Sequence, residues 1–292
     1  MIHYQIKIIL AFALVMVFVT PSIASIASAS TLPAARQNLD ESVNRLIEER
    51  DSDSVNNLSE QNNITNRKKV ISDVLALSRQ EIESVRARLN AARIDRESQL
   101  WTVRKIILQW LDSEEKYFKE IEGRLNSELS LNEVKDLARE IQNHRNEKYN
   151  ANLANALDFI FALRTLRLTD IASNRWDRIS SDLQRIERAG LIRVNLFAPE
   201  MSEARAMIDK ARSLVEKSLV QIKNIYLPTP EGKPTPIVTE VSNDDTTDTT
   251  IEDKQITPTV RKLCEEAIDN LKIGYDAFVR ISVTVRRLLR LP

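Results

Sequence analysis

Leu129-Ser130-Leu131-Asn132-Glu133-Val134 decides how this chain folds. Ser130 can accept a hydrogen bond from the backbone N–H of Glu133. The Glu133 carboxylate can in turn accept from the N–H of Ser130. That reciprocal pair is a capping box, and Leu129 against Val134 supplies the hydrophobic staple that goes with it. A cap is worth about 1 kcal/mol, so it marks a helix start more than it holds a fold.

Working outward, apolar residues recur at three- and four-residue spacings on both sides of this hinge. Upstream lie Val70, Val74, Leu77, Ile82, Val85, Leu89, Leu100, Val103, Ile107, Trp110, Tyr117, Ile121 and Leu125. Downstream lie Val134, Leu137, Ile141, Leu153, Leu157, Ile160, Leu163, Leu166, Ile171, Trp176, Ile179, Leu183 and Ile186. This is helix periodicity with a narrow stripe, suited to burial against one or two partner helices. Gly190 closes the second arm, as a left-handed residue just past a helix end.

Each arm holds about 60 residues, so each would be roughly 90 Å long if unbroken. The expectation is an all-α fold built on a long, coiled-coil-like antiparallel helical hairpin over residues 66–190, within a hairpin/bundle domain of 66–226. Shorter helices extend it into a partial three- to four-helix bundle. No Pro interrupts either arm. Residues 144–150 lack a stripe residue before Tyr149, which leaves a kink or short loop there open against continuity.

Composition agrees. The chain has 292 residues with 42 basic and 42 acidic side chains, four Gly and one Cys. Such a balance suits amphipathic helix and speaks against a nucleic-acid binder, which needs a clustered positive surface. Acids and bases alternate along the helix faces, as on a solvated exterior.

At the start, Met1–Lys7 carries one Lys, Ile8–Val19 is an uncharged apolar run, and Pro21 ends it. Ala27-Ser28-Ala29 then offers a signal-peptidase site. Residues 1–29 read as a secretory signal peptide, because the run is shorter than the ~20 residues of a spanning helix. An uncleaved N-terminal anchor is the alternative. Residues 31–65 read as a short helix, marked by Leu39, Val43 and Leu46, followed by an Asn-rich polar loop.

Past Gly190, Pro199 suits the first turn of a helix that ends before Pro228. Residues 227–257 hold four Pro, with seven acidic residues against two basic ones, and read as a disordered acidic linker. Thr257-Pro258 then reads as the cap and first turn of a C-terminal amphipathic helix, 258–292. Its stripe runs Val260, Cys264, Ala267, Leu271, Tyr275, Phe278, Val285, Leu289. Arg286, Arg287 and Arg290 lie near its end, where cations suit the helix dipole.

Catalytic chemistry is sparse. His144 is the one histidine beyond the N-terminal segment, so no metal quartet or Ser–His–acid set stands out. Glu140 and His144 lie four apart, the spacing of an ordinary surface pair. Cys264 cannot form an intramolecular disulfide and reads as a small buried thiol. Trp101, Trp110 and Trp176 fall on or beside the stripes and read as core. No catalytic, cofactor-binding or metal residue is assigned, and no cofactor is expected.

Two segments carry a family resemblance: Leu129–Asn150 (LSLNEVKDLAREIQNHRNEKYN), and Arg178–Leu219 from RISSDLQRIERAG to MSEARAMIDKARSLVEKSL. Together they resemble uncharacterised exported helical proteins of candidate-phylum bacteria with very small genomes. That resemblance implies location and shape, and no site residue. The reading is of a non-enzymatic extracytoplasmic scaffold or protein-interaction module, secreted or held in the cell envelope. Its expected partners are other envelope or cell-surface proteins, or a second copy through residues 258–290, with no nucleic acid. Membrane contact is expected only through an uncleaved N-terminal segment. A helical-bundle ligand-binding or sensor domain is the alternative.

Overall fold

The computed structural model describes residues 59–227 and 258–289. These residues are all-helical. The helices are α1 Ser59–Ala91, α2 Gln99–Leu125, α3 Leu131–His144, α4 Asn150–Arg188, α5 Ala198–Tyr226 and α6 Val260–Leu288. The signal peptide or anchor (1–29), the helix expected at 31–50 and the acidic linker up to residue 257 lie outside the described residues. No helix among those described is long and apolar enough to cross a membrane.

Contacts divide the described chain into two compact units. One comprises residues 59–86 and 113–143. The other comprises residues 87–112, 144–227 and 258–289.

In the first unit, the opening part of α1 runs antiparallel to the closing part of α2. Lys68 Nζ reaches the Ser127 carbonyl at 2.8 Å, Arg79 pairs with Glu122, and Arg86 meets Glu115 at 2.8 Å. Helix α3 turns back against α2, with Arg124 and Glu140 joined at 2.9 Å. The core is Ile71, Leu75, Ile82, Val85, Phe118, Ile121, Leu125, Val134, Leu137 and Ile141.

The capping box between α2 and α3 forms as read. The Ser130 N–H donates to Glu133 Oε2 at 2.7 Å, and the Glu133 N–H donates to Ser130 Oγ at 3.4 Å. These bonds hold the exposed Glu133 carboxyl below its ordinary value, the backbone bond more than the side-chain one.

The first arm is not one helix. Residues 92–98 leave the helical path although they contain neither Pro nor Gly. The Glu97 N–H donates to Asp95 Oδ1 at 3.2 Å, and Ser98 Oγ donates to the Asp95 carbonyl at 2.7 Å. Local side-chain bonds of this kind offer the backbone an alternative to the helix. Two further boundaries move. Helix α1 is already helical at Ser59, the first described residue, inside the stretch expected to be loop. Helix α6 is capped by Thr259, whose side chain accepts from the Lys262 N–H at 3.3 Å, so Pro258 precedes the cap.

The second arm stays helical through the doubtful stretch by adding a residue. Arg145–Tyr149 forms a π-turn, and the Asn150 N–H donates to the Arg145 carbonyl, five residues back. The inserted residue turns Tyr149 fully inward, against Trp110 at 5.9 Å between ring centroids.

Helix α4 ends as expected. Gly190 has φ 71°, the Leu191 N–H donates to the Ile186 carbonyl at 3.2 Å, and the Gly190 N–H donates to the Glu187 carbonyl at 2.8 Å. That pair of bonds is the Schellman motif.

In the second unit, α4, α5 and α6 pack as three helices. Helix α5 runs antiparallel to both others, as Arg212–Asp170 (2.7 Å) with Trp176–Met201 (2.9 Å) fix for α4, and the Arg280–Glu203 pair with Cys264–Ser218 (3.4 Å) fix for α6. Buried residues alternate steps of three and four. They are Met201, Ala204, Ile208, Ala211, Val215, Ser218 and Ile222 on α5, and Val260, Cys264, Ala267, Leu271, Gly274, Phe278, Ile281 and Val285 on α6. Helix α6 therefore docks on its own chain. On α4 the expected stripe holds in part: Ile160, Leu183 and Ile186 are buried with Phe159, smaller residues (Ala156, Ala162, Thr165, Thr169 and Ala172) are buried alongside them, and Ile171 is 47% exposed.

Candidate functional site

The densest buried polar grouping lies at the centre of the second unit, one residue from each helix. Thr165 of α4, Ser218 of α5 and Cys264 of α6 are all fully buried. The Cys264 thiol donates to Ser218 Oγ at 3.4 Å. Ser218 Oγ donates to the Val215 carbonyl at 2.7 Å, and Thr165 Oγ1 donates to the Phe161 carbonyl at 2.9 Å. Each hydroxyl thus spends its proton on its own helix, as buried Ser and Thr commonly do. Its oxygen remains free to accept from the thiol.

Burial raises the Cys264 pKa, and Asp158 and Glu265 push it the same way. The hydrogen bonds to Ser218 and Thr165 act in the opposite direction and do not overcome burial. The thiol therefore stays protonated at neutral pH, which makes it a poor nucleophile. Its position on the stripe was legible in the sequence; its two hydroxyl partners were not. The signal was there, since Ser218 falls seven residues after Ala211 and fourteen after Ala204 on the buried register of α5.

Toward the end where α5 finishes and α6 begins sits a second group. Asp158 of α4 is half-buried, and Arg261 approaches it at 3.8 Å. Burial raises the Asp158 pKa despite the Arg261 charge, and Glu265 adds to the rise. Tyr226, at the end of α5, has a buried hydroxyl with no hydrogen-bond partner. Burial first, and Asp158 second, push that phenol far above its ordinary range. It is neutral at any physiological pH and can donate or accept a hydrogen bond.

The residues singled out in the sequence do not converge. Glu140 is held by Arg124, and His144 is half-buried at the end of α3. The tryptophans are half-buried rather than core. The Trp101 ring lies 4.5 Å from Arg104 and 5.9 Å from Arg96, and the Trp176 indole N–H donates to the Met201 carbonyl at 2.9 Å beneath Arg205. Such edges suit amphipathic aromatics, with one face apolar and one face under a cation. Among the described residues, no three His, Cys, Asp or Glu side chains are grouped to hold a metal ion.

No family model, curated protein or solved structure matches the chain. Any function is therefore argued from its own residues.

Proposed function

We propose that the chain is a non-enzymatic helical scaffold or protein-interaction module working outside the cytoplasmic membrane. The observation that carries the reading is how the centre of the second unit is filled. Its polar atoms, on Thr165, Ser218 and Cys264, bond to one another and to their own helices, among packed aliphatic residues. A polar cluster closed on itself fixes the register of three helices and presents no group to a substrate. The apolar run Ile8–Val19 with Ala27-Ser28-Ala29 behind it supports export. Its partners would be other envelope or surface proteins. Self-association through residues 258–290 would have to use the outer face of α6, because its inner stripe is taken by α4 and α5.

One observation favours the ligand-binding alternative: the unpartnered Tyr226 hydroxyl beside Asp158, which would suit a small polar molecule reaching that end of the bundle.

Fractionation of the native host, with N-terminal sequencing of the recovered protein, tests the main reading. It expects the protein outside the cytoplasm with a mature terminus at or near Ser30, or at Met1 if the segment is retained as an anchor. Recovery in the cytosol would overturn it. A thermal shift by small polar metabolites, abolished in Tyr226→Phe, would turn the assignment to the alternative.

A further inference from the structure

One end of the second unit is unlike the rest of the molecule. The pairing of Arg280 with Glu203, and of Gly274 with Ala204, sets the last three turns of α6 level with the start of α5. The α4–α5 connector immediately precedes that start. The end of α4, the connector and the end of α6 therefore lie together.

Five of the exposed large hydrophobic residues gather here: Leu191 (45%), Leu196 (57%), Val279 (59%), Val283 (50%) and Leu288 (48%). Singly, exposed aliphatics need no explanation, but a cluster at one end does. Residues 185–203 and 279–289 carry six arginines, Arg185, Arg188, Arg193, Arg280, Arg286 and Arg287, against three acids, Glu187, Glu200 and Glu203. Arg185 and Arg280 are paired with Asp182 and Glu203, and the Glu187 carboxylate is occupied by the Val194 N–H at 3.0 Å. Arg188, Arg193, Arg286 and Arg287 are exposed and have no ion-pair partner among the described residues. Helix-dipole complementation accounts for Arg185 and Arg188 in the last turn of α4, and for Arg286 and Arg287 in that of α6. It accounts neither for Arg193 in the connector nor for the five aliphatics.

We propose that this end is a peripheral docking surface for an anionic lipid membrane. Guanidinium groups bind phosphate oxygens bidentately, and aliphatic side chains between them reach the acyl boundary. The aliphatics lie on a connector and on a helix flank, so no single groove gathers them. A fluid surface moulds to that distribution, whereas a folded partner would need a matching shape.

The chain's own acidic tract, residues 231–253, is the competing anion. It is tethered at the far end of the unit, between the end of α5 and the start of α6. Helix α5 has 29 residues, so about 43 Å separates the two ends. Half of the 30-residue tether reaches at most about 50 Å fully extended. To cover the arginines in its own molecule it would have to be almost straight in both directions. The inference is independent of the scaffold reading and adds a membrane contact beyond the N-terminal segment.

The test is vesicle sedimentation of the full chain on phosphatidylglycerol–phosphatidylcholine and on phosphatidylcholine alone, at 50 and 500 mM NaCl. The apolar run at residues 8–19 contributes equally to every variant, so the anionic-over-neutral excess isolates this end. The excess is expected to collapse at high salt and to fall roughly 25-fold in R286Q/R287Q, about fivefold per arginine. It should also fall in L196S/V283S and stay unchanged in the charge-matched pair K217Q/K262Q, whose residues lie at the other end. Circular dichroism melts confirm that all variants fold. Equal partitioning on both lipids, or equal loss in the control pair, overturns the proposal. So does an unaltered excess in R286Q/R287Q, or a vesicle-free dimer that the same variant dissolves while vesicle binding persists; that last result would assign the surface to a second copy.

Discussion

Gly274 on α6 faces the carbonyl oxygen of Ala204 on α5, and a Cβ placed on it would stand 3.4 Å from that oxygen. Met207 Cβ and Ile208 Cγ1 would each be 3.7 Å away. The two backbones approach closely here because Ala204, Ala211, Ser218, Ala267 and Gly274 keep the buried register narrow. The closeness of α5 and α6 is therefore a property of small side chains, and it has measurable limits.

Gly274→Ala sits at the edge of ordinary contact and removes a helix-interior glycine, which costs up to about 1 kcal/mol relative to Ala. It is expected to be neutral or stabilising. Gly274→Leu drives further atoms into the Ala204 carbonyl and should destabilise by about 1–3 kcal/mol. Urea unfolding of both variants checks the pair. A leucine tolerated as well as the alanine would mean the helices are not in close contact.

Two aspartate substitutions separate core from margin. Ile107 on α2 is 0% exposed, so Ile107→Asp buries an unpaired charge and should cost several kcal/mol. Leu163 on α4 is only half-buried, with Ala162 beside it taking the inner position, so Leu163→Asp should cost clearly less. Thermal melts at one pH rank them. The reverse order would contradict the burial pattern.

The Leu163 case shows what the sequence could and could not say. The all-α class, the Ser130–Glu133 cap, the Gly190 stop and the stripe position of Cys264 were all legible, because each rests on local chemistry or on period. Which residues lie deepest was not. Large aliphatics define a stripe by eye, and on α4 its Ile160, Leu183 and Ile186 are buried, yet Ala156, Ala162 and Ala172 are buried as well and Ile171 turns outward. The break at 92–98 was missed because it carries no Pro or Gly. Its signals were the thin stripe between Leu89 and Leu100 and the Asp95–Ser98 turn. The helix over residues 59–65 was not legible because an Asn-rich stretch looks like loop. In the helix, Arg67 Nε donates to Asn63 Oδ1 at 2.5 Å and Thr65 Oγ1 donates to the Gln61 carbonyl at 2.9 Å. The thiol–hydroxyl cluster was hidden for another reason: Thr165, Ser218 and Cys264 are brought together only by the packing of three separate helices.

Asp158 gives a pH prediction with a definite sign. Its folded pKa is raised, burial outweighing Arg261. The folded state therefore favours the protonated acid, and the associated stability is present below the unfolded pKa of about 3.9. It is lost as pH rises through the folded value, so the ionised group weighs against the fold at neutral pH. Asp158→Asn is expected to raise Tm modestly at pH 7, with the gain shrinking toward pH 4. Glu115 and Glu122 run the other way. Hydrogen bonds from Lys119 and Arg86, and from Arg79, lower their pKa values. Their contribution is present above the unfolded value and lost as pH falls through the folded one. A Tm difference between wild type and Asp158→Asn that grows on acidification would refute the assignment.

The Cys264 thiol reports whether α6 stays on its own chain. The thiol is fully buried between α4 and α5, and burial raises its pKa. Two conditions then limit its reaction with a maleimide: α6 must open, and the exposed thiol must ionise. Native protein is expected to label slowly. Its rate should be set by opening of α6 and should jump to that of a free cysteine in denaturant. Docking within one molecule is concentration-independent, so the labelling rate should not change between micromolar and nanomolar protein, and the sizing profile should stay monomeric. Ser218→Ala removes the oxygen that accepts from the thiol without enlarging a side chain, leaving Thr165 as the remaining partner. It should speed labelling several-fold, in line with loss of a neutral hydrogen bond worth about 1 kcal/mol. Were α6 exchanged between copies instead, dilution alone would expose the thiol as a larger species fell apart, and Ser218→Ala would make that exposure appear at a higher protein concentration.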